Sequence, residues 1–359
     1  MSDRITVPEK NLRNIPIFPN DPSDDRDVIT EIKQHIFLTA EPHTWRGHSH
    51  TKPSKGAPVV YVEEFDVPAR DNIRRVAPCP CCMPFHPKYK NKGKIAWFPE
   101  ESVIRLIGPD CFAAINNTGH AEAIIELRKR QKRQVELSTI ALHAQTVEAL
   151  IEALDEALAI SLDLDAFMHE FNRVIDNELR LNLWREVKGG NLSTIETRRV
   201  PFQKADGTVG ERNEEFRATF LRIQGYSMID RSGQASESKI KTLRSGLSGC
   251  VETLKKVGKP DNLSDGERQR IADAFPKART QATRIFAGMS DRQLFLKSGA
   301  IESLSQWGKH PKAPIPFTIT DRKYEVILSA SSRSLAPTNV YKVPIRNNAL
   351  KPIPKVPVL

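Results

Sequence analysis

Four of the five cysteines lie in a short part of the chain, and their spacing suits a metal site. Cys79 and Cys82 form a C-x-x-C pair that encloses Cys81, and Cys111 follows further along. Two thiols at this spacing can converge on one ion from a tight turn, and the remaining ligands of a four-coordinate site commonly lie beyond a hairpin. We therefore predict a structural zinc site built from Cys79, Cys82 and Cys111.

The fourth ligand of this site is open between His86, Cys81 and His120. We prefer His86 because it lies close to the C-x-x-C pair. Cys111 follows a turn and is expected to begin a helix, where the helix N-terminus would stabilise its thiolate. The alternative is that these cysteines are buried apolar thiols without a metal.

From Cys79 to about His120 the segment resembles the zinc-ribbon and treble-clef class of small zinc modules. In that class a C-P-x-C knuckle is followed by a hairpin and a G-x-x-C turn, and here Cys79-Pro80-Cys81-Cys82 precedes Gly108-Pro109-Asp110-Cys111. The resemblance implies a closed, thiolate-rich zinc site with a structural role. It covers this segment alone, and the unassigned fourth ligand is a departure from the pattern.

Two basic clusters flank the cysteine segment and point to an anionic partner. The first cluster consists of alternate residues at the start of the predicted hairpin, namely Lys88, Lys90, Lys92 and Lys94. The second lies early in a predicted helix and consists of Arg128, Lys129, Arg130, Lys132 and Arg133. With a formal net charge of +10 and a pI of about 9.3, they favour phosphate contacts and nucleic-acid binding. The alternative is an ordinary solvated charged surface.

The hydrophobic pattern predicts a mainly α fold with small β elements, of the α+β class. Residues 1–118 form an N-terminal region with the zinc knuckle, and residues 119–190 form a long helical hairpin that breaks at 162–165, where Asp163 caps the second helix. Residues 191–345 form a mixed α+β domain. Residues 346–359 form an extended, basic, proline-rich tail.

Shorter patterns divide these regions into elements. Ser23 and Asp24 are candidate caps of the first helix, and Ser264 with Glu267 matches a capping box. Alternating apolar residues predict the strands, and period-3.6 patterns predict the helices. The predicted strands are 59–65, 94–98, 103–107, 194–202, 215–224, 317–319, 324–328 and 340–345, and the later helices are 236–256, 264–288 and 290–307.

A search for catalytic motifs favours a protein that is not an enzyme. The sequence has no Walker A loop, no dinucleotide-binding G-x-G-x-x-G after a strand, no G-x-S-x-G elbow and no H-E-x-x-H. His43, His48 and His50 are candidates for a second metal or catalytic site, but loop histidines without nearby carboxylates are more often surface residues. Cys250 is expected to be a buried structural thiol.

These observations together predict a cytoplasmic, non-enzymatic nucleic-acid-binding protein with a structural zinc module. The few, clustered cysteines argue against a disulfide framework, and no apolar run is long enough for a membrane span or a secretory signal. One alternative is an assembly component that self-associates through the helical hairpin and uses its tail to bind a partner. The other is a nucleic-acid-processing enzyme whose scattered residues escape a motif search.

Overall fold

The computed structural model describes residue 13 and residues 15–69, 79–81, 92–205, 207–230, 235–330 and 339–358. Two compact units divide the chain, Met1–Val135 and Glu136–Leu359. About 52% of the chain is helical and 21% lies in strands of small antiparallel sheets, so the predicted α+β class is confirmed. Over the described ranges, no helix combines the length and the apolar character that a bilayer crossing requires.

The first unit opens with helix α1 (Arg26–Thr39), which packs its apolar stripe into the unit's core. Its cap is Asp25, whose side chain accepts the backbone N–H groups of Asp27 and Val28, so Ser23 and Asp24 do not cap it as predicted. Three isoleucines at helical spacing form the buried stripe, namely Ile29, Ile32 and Ile36.

A three-stranded antiparallel sheet completes the core of the first unit and confirms the predicted strands. Its order is β1 (Val60–Asp66), β2 (Lys92–Phe98), β3 (Val103–Ile107). Strand β2 is the central strand, and six of its seven residues are buried. Trp97 is one of them and donates its indole N–H to the carbonyl oxygen of Phe18 over 2.9 Å, so it serves the core and is not available to stack on a base.

Helix α2 (Asn117–Arg173) is continuous, and the predicted helical hairpin with a break at 162–165 is wrong. Asp163, the predicted cap, and Asp165 both bind partners within the second unit. Asp165 accepts hydrogen bonds from Arg292 over 2.6 Å and from the backbone N–H of Glu237 over 2.9 Å. Asp163 accepts the N–H of Asn348 over 3.1 Å. Because both carboxylates have partners distant in sequence, the helix runs through them.

The second unit adds helices and two small sheets to the rest of α2. In the described part of the unit a π-helical turn ends α2, and it is followed by a one-turn helix, a two-stranded ribbon, three longer helices and a three-stranded sheet whose strands pair in chain order. Their bounds are the π turn Val174–Glu178, α3 (Leu183–Glu186), β4 (Asn191–Gln203), β5 (Val209–Arg222), α4 (Ser236–Val257), α5 (Asp265–Lys297), α6 (Ala300–Lys309), β6 (Phe317–Arg322), β7 (Glu325–Ala330) and β8 (Val340–Pro344).

Helix α5 confirms one predicted start and corrects one predicted end. The capping box is present, because Ser264 accepts the N–H of Glu267 and the Glu267 carboxylate accepts the N–H of Ser264. The helix runs through the break predicted after residue 288 and ends at Lys297, with Gly299 in the left-handed conformation before α6.

The C-terminal segment is extended, as predicted, apart from one turn at Asn347–Leu350. It is bound to its own unit: the side-chain amide of Gln293 donates to the carbonyl oxygens of Ala349 and Lys351 over 2.8 and 2.6 Å. Up to Lys351, therefore, the tail is part of the fold of the second unit.

Candidate metal centre and nucleic-acid interface

Three thiols of the first unit lie together, which we call the cysteine centre: Cys79, Cys81 and Cys111. Cys79 and Cys81 are buried, Cys111 is half-buried, and none of the three forms a disulfide. The Cys79 side chain forms hydrogen bonds with Cys111 and Cys81 and receives one from the Gly108 backbone. The bond with Cys111 lowers the pKa of the Cys79 thiol, but the bond with Cys81 and the burial outweigh it and raise that pKa to about 12. In this state Cys79 keeps its proton.

Tyr61 and His120 lie against the cysteine centre. The Tyr61 hydroxyl is 2.6 Å from Nδ1 of His120, and both side chains are buried. Burial raises the pKa of Tyr61, and the nearby thiols of Cys81, Cys111 and Cys79 raise it further, so Tyr61 stays protonated. Because the neutral phenol can donate to Nδ1, the Nε2 atom of His120 is the ring nitrogen that remains for another contact.

The structure brings part of the predicted zinc ligand set together. Cys79 and Cys111 meet as expected and the alternative ligand Cys81 lies beside them, while the other alternative, His120, bonds to Tyr61, which is near the three thiols. Cys82 and His86 lie outside the described residues. Within the ranges that are described, no three His, Cys, Asp or Glu side chains are placed so that they could hold a metal ion. Cys111 lies in a turn that precedes α2, so the expectation that it begins a helix is wrong.

The first basic cluster is only partly described, since Lys88 and Lys90 lie outside the described residues. Lys92 is exposed at the start of β2. Lys94 is buried; its ammonium group donates to the carbonyl oxygen of Pro109 over 2.7 Å and lies 5.5 Å from the Tyr61 ring centre. Lys94 thus stabilises the turn before Cys111, and this role leaves its ammonium group turned away from solvent and phosphate.

The second basic cluster forms what we call the cationic face of α2, made of four exposed side chains: Arg128, Lys129, Lys132 and Arg133. Each helical residue is rotated by about 100° from the last, so these four cover a sector roughly 140° wide. Ala123 and Leu127 on the opposite side are buried in the core of the first unit. The acidic neighbour Glu126 forms an ion pair with Lys129 over 2.7 Å.

Arg130, the fifth residue of that cluster, has a structural contact. Its guanidinium donates to the carbonyl oxygen of Tyr61, and the next residue, Gln131, donates to Glu63 over 3.1 Å. These two bonds attach α2 to β1 and fix the orientation of the cationic face. Arg130 therefore has a structural role, whereas its four neighbours form the cationic face.

The three histidines named as candidates for a second site lie with Arg105 in a polar cluster of the first unit, and sequence reasoning missed the part of Arg105. We call these four residues the histidine–arginine centre: His43, His48, His50 and Arg105. The expectation that these histidines are surface residues is wrong, because His43 and His48 are buried and His50 is half-buried. The rings of His48 and His50 are 4.3 Å apart. Burial, followed by the charges of His50, His43 and Arg105, holds the pKa of His48 well below its usual value, and burial with His43 lowers that of His50 to about 4.

The signal that could have found this centre is the position of Arg105 between apolar residues of a buried strand, Ile104 and Leu106. A charged residue in such a strand must have polar partners in the core. Comparison of the chain with family models, with curated proteins and with solved structures returned no match in any of the three.

Proposed function

We propose that the protein binds nucleic acid through the cationic face of α2, on a first unit whose cysteine centre is completed by a structural zinc ion. The observation that carries the proposal is the separation of roles within residues 128–133. Arg130 anchors the helix to β1, while the four residues of the cationic face point to solvent. A rigid array of cations on a folded module is the kind of surface that contacts phosphates.

The cysteine centre supports the zinc part of the proposal by its chemistry. Cys79, Cys81 and Cys111 are close, mostly buried and free of disulfides. Zinc favours thiolate ligands, and binding it would displace the protons that the centre otherwise holds. Cys79, Cys111 and Cys82 would supply three ligands, and the fourth would come from His86, Cys81 or His120. The ion would stiffen the segment that leads into α2.

Fluorescence anisotropy of the full chain with single-stranded DNA, duplex DNA and RNA over a salt series tests the binding. The variant Arg128→Gln, Lys129→Gln, Lys132→Gln, Arg133→Gln removes the cationic face. We expect it to bind duplex DNA more weakly. The negative slope of log K against log salt should become shallower by about 3 to 4, because each phosphate contact contributes about 0.9 to its magnitude.

A matched control removes four exposed cations of the second unit: Lys239→Gln, Lys256→Gln, Arg284→Gln and Lys309→Gln. Its net charge equals that of the first variant, so only the position of the charges differs. The control should retain the wild-type salt slope. No binding at low salt, or equal losses in both variants, would contradict the proposal.

A second candidate function, assembly, rests on the β4–β5 ribbon rather than on the predicted helical hairpin. Every residue of its outer part, from Arg198 to Gln203 and from Val209 to Phe216, is exposed or half-buried. Two-stranded ribbons are marginally stable alone, which favours pairing with a second copy. We expect light scattering to give a mass that rises with protein concentration. The double variant Phe202→Ser, Phe216→Ser should return the mass to that of the monomer. A constant monomer mass would exclude this candidate.

A further inference from the structure

Arg105 in the histidine–arginine centre has a donor without an acceptor. Its side chain is fully buried; Nε donates to the carbonyl oxygen of Thr51 over 2.8 Å, and Nη2 donates to Thr51 Oγ1 over 2.7 Å and to Glu101. Its third nitrogen, Nη1, is buried and lacks a hydrogen-bond partner among the residues described. A guanidinium nitrogen can only donate, so this group requires an acceptor.

His48 presents a second donor of the same kind. Its Nδ1 atom accepts the backbone N–H of Leu106 over 3.0 Å. A neutral ring whose Nδ1 accepts carries its proton on Nε2, and that Nε2 atom is buried with no hydrogen-bond partner in the described part of the chain. The same tautomer opposes a metal at this atom, because a metal ligand needs the Nε2 lone pair.

The two donors belong to one neighbourhood. Leu106, which fixes the His48 ring, is adjacent to Arg105, and Thr51, which binds Arg105, lies three residues after His48. The guanidinium charge is close enough to act on the His48 ring. His50 stacks edge-on against His48 and is partly exposed, so it marks the side on which the centre reaches solvent. Glu101 supplies the only negative charge that the described contacts place on Arg105.

We propose that the histidine–arginine centre binds a small oxyanion, a single carboxylate or phosphate group, whose oxygens accept from Arg105 Nη1 and His48 Nε2. An oxyanion offers two acceptors to two buried donors, one of them charged, and charge-assisted bonds of this kind are the stronger ones. Carboxylate and phosphate share this chemistry. The site uses none of the residues of the cationic face or the cysteine centre, so it does not depend on nucleic-acid binding.

Isothermal titration calorimetry of the full chain with inorganic phosphate, and separately with acetate, at constant ionic strength in chloride tests the proposal. We expect saturable one-to-one binding of at least one of the two anions, and the stronger binder identifies the source of the oxyanion. Absence of saturable heat with both anions would overturn the proposal and assign the two donors to buried water.

The variant His48→Asn tests whether the anion binds at this centre. The Asn side-chain oxygen can take the place of Nδ1 as acceptor for Leu106, while the Nε2 donor is lost. We expect binding to weaken about tenfold to a hundredfold, as the loss of one bond to a charged group predicts. Lys52→Gln, which removes an exposed charge beside Thr51, should leave the affinity unchanged. Equal affinity in His48→Asn and the wild type would indicate an adventitious ion only.

Glu101→Gln gives a test that does not depend on the folding of His48→Asn. Glu101 lies at the protein surface, with a side chain that is 37% exposed, and its carboxylate pairs with the Arg105 guanidinium. Replacing it with the isosteric amide removes a negative charge next to the proposed anion. Affinity should therefore rise several-fold, and an unchanged or reduced affinity would overturn the proposal.

Discussion

The cysteine centre and the histidine–arginine centre are both buried in the first unit, but their polar groups are satisfied differently. In the cysteine centre Cys79 bonds to two further thiols, and the adjacent Tyr61 and His120 bond to each other. In the histidine–arginine centre, Thr51 and Glu101 accept from Arg105 and the Leu106 N–H donates to His48 Nδ1, and one donor of each of the two side chains is left over.

This difference determines what each centre can take from solution. Thiols that share protons can exchange them for a soft cation, so the cysteine centre needs deprotonation before it binds anything. The histidine–arginine centre is neutral at His48 and His50 and cationic at Arg105, so it attracts an acceptor and repels a cation. The two centres should therefore respond in opposite ways to metal and to acid.

The largest effect should come from removing the zinc ion that we propose for the cysteine centre. Chelation, or the variant Cys111→Ser, should destabilise the first unit by several kcal/mol, because binding energy at a structural zinc is folding energy. Hydrogen exchange measured by mass spectrometry should show β1–β3 losing protection while α4–α6 retain it. Cys250→Ser, which replaces a buried thiol of the second unit, is the control and should leave the zinc content unchanged. Chelator-washed protein with no zinc and full protection would reject the metal.

The second-largest effect should be a loss of stability in acid, caused by the histidine–arginine centre. The folded-state pKa of His48 is well below 6.5 and that of His50 is about 4. At a pH below 6.5 and above the folded-state pKa, the unfolded form therefore binds more protons at these histidines than the folded form does. Stability is then lost as pH falls from about 6.5 towards 4, by about 1.4 kcal/mol per pH unit for each histidine kept neutral, with less for the half-buried His50. Arg105 adds to this effect, since its charge disfavours ring protonation.

Urea unfolding of the first unit over this pH range measures that loss. His48→Asn should flatten the pH dependence, because the side chain that must stay neutral is gone. His35→Asn is a useful comparison, since His35 is only partly buried and has a hydrogen-bond partner in Thr44. A pH profile that does not change in His48→Asn would show that other groups carry the acid sensitivity.

A smaller effect is expected at the edge of the cysteine centre. Tyr61→Phe removes the hydroxyl that lies 2.6 Å from His120 Nδ1 and leaves a buried ring nitrogen without its partner. Loss of such a bond costs about 1 to 3 kcal/mol. Tyr324→Phe removes an exposed hydroxyl of the second unit and should change stability by less than about 0.5 kcal/mol. Equal stabilities of the two variants in urea unfolding would show that the Tyr61–His120 bond contributes nothing.

The two centres also show what local spacing can predict. The predicted hairpin β2–β3 brings Cys111 to Cys79, so their approach follows from local spacing, while a zinc ion on them stays a prediction. The histidine–arginine centre depends on the pairing of a loop with β3, and no local pattern shows that pairing. The same limit applies to α2, where Asp163 resembled a helix cap because its partner, Asn348, lies far along the chain.

The smallest effect on stability should distinguish Arg130, which attaches α2 to β1, from the exposed residues of the second basic cluster. Arg130→Gln removes the hydrogen bond from Arg130 to the carbonyl oxygen of Tyr61 in β1. We expect this loss to destabilise the first unit by about 1 kcal/mol. Arg128→Gln, on the exposed face of the same helix turn, should leave stability unchanged and weaken nucleic-acid binding instead. Urea unfolding and anisotropy on both variants measure the two quantities. If Arg128→Gln destabilises the unit as much as Arg130→Gln does, the cationic face belongs to the core of the module, and its affinity for phosphate loses its structural basis.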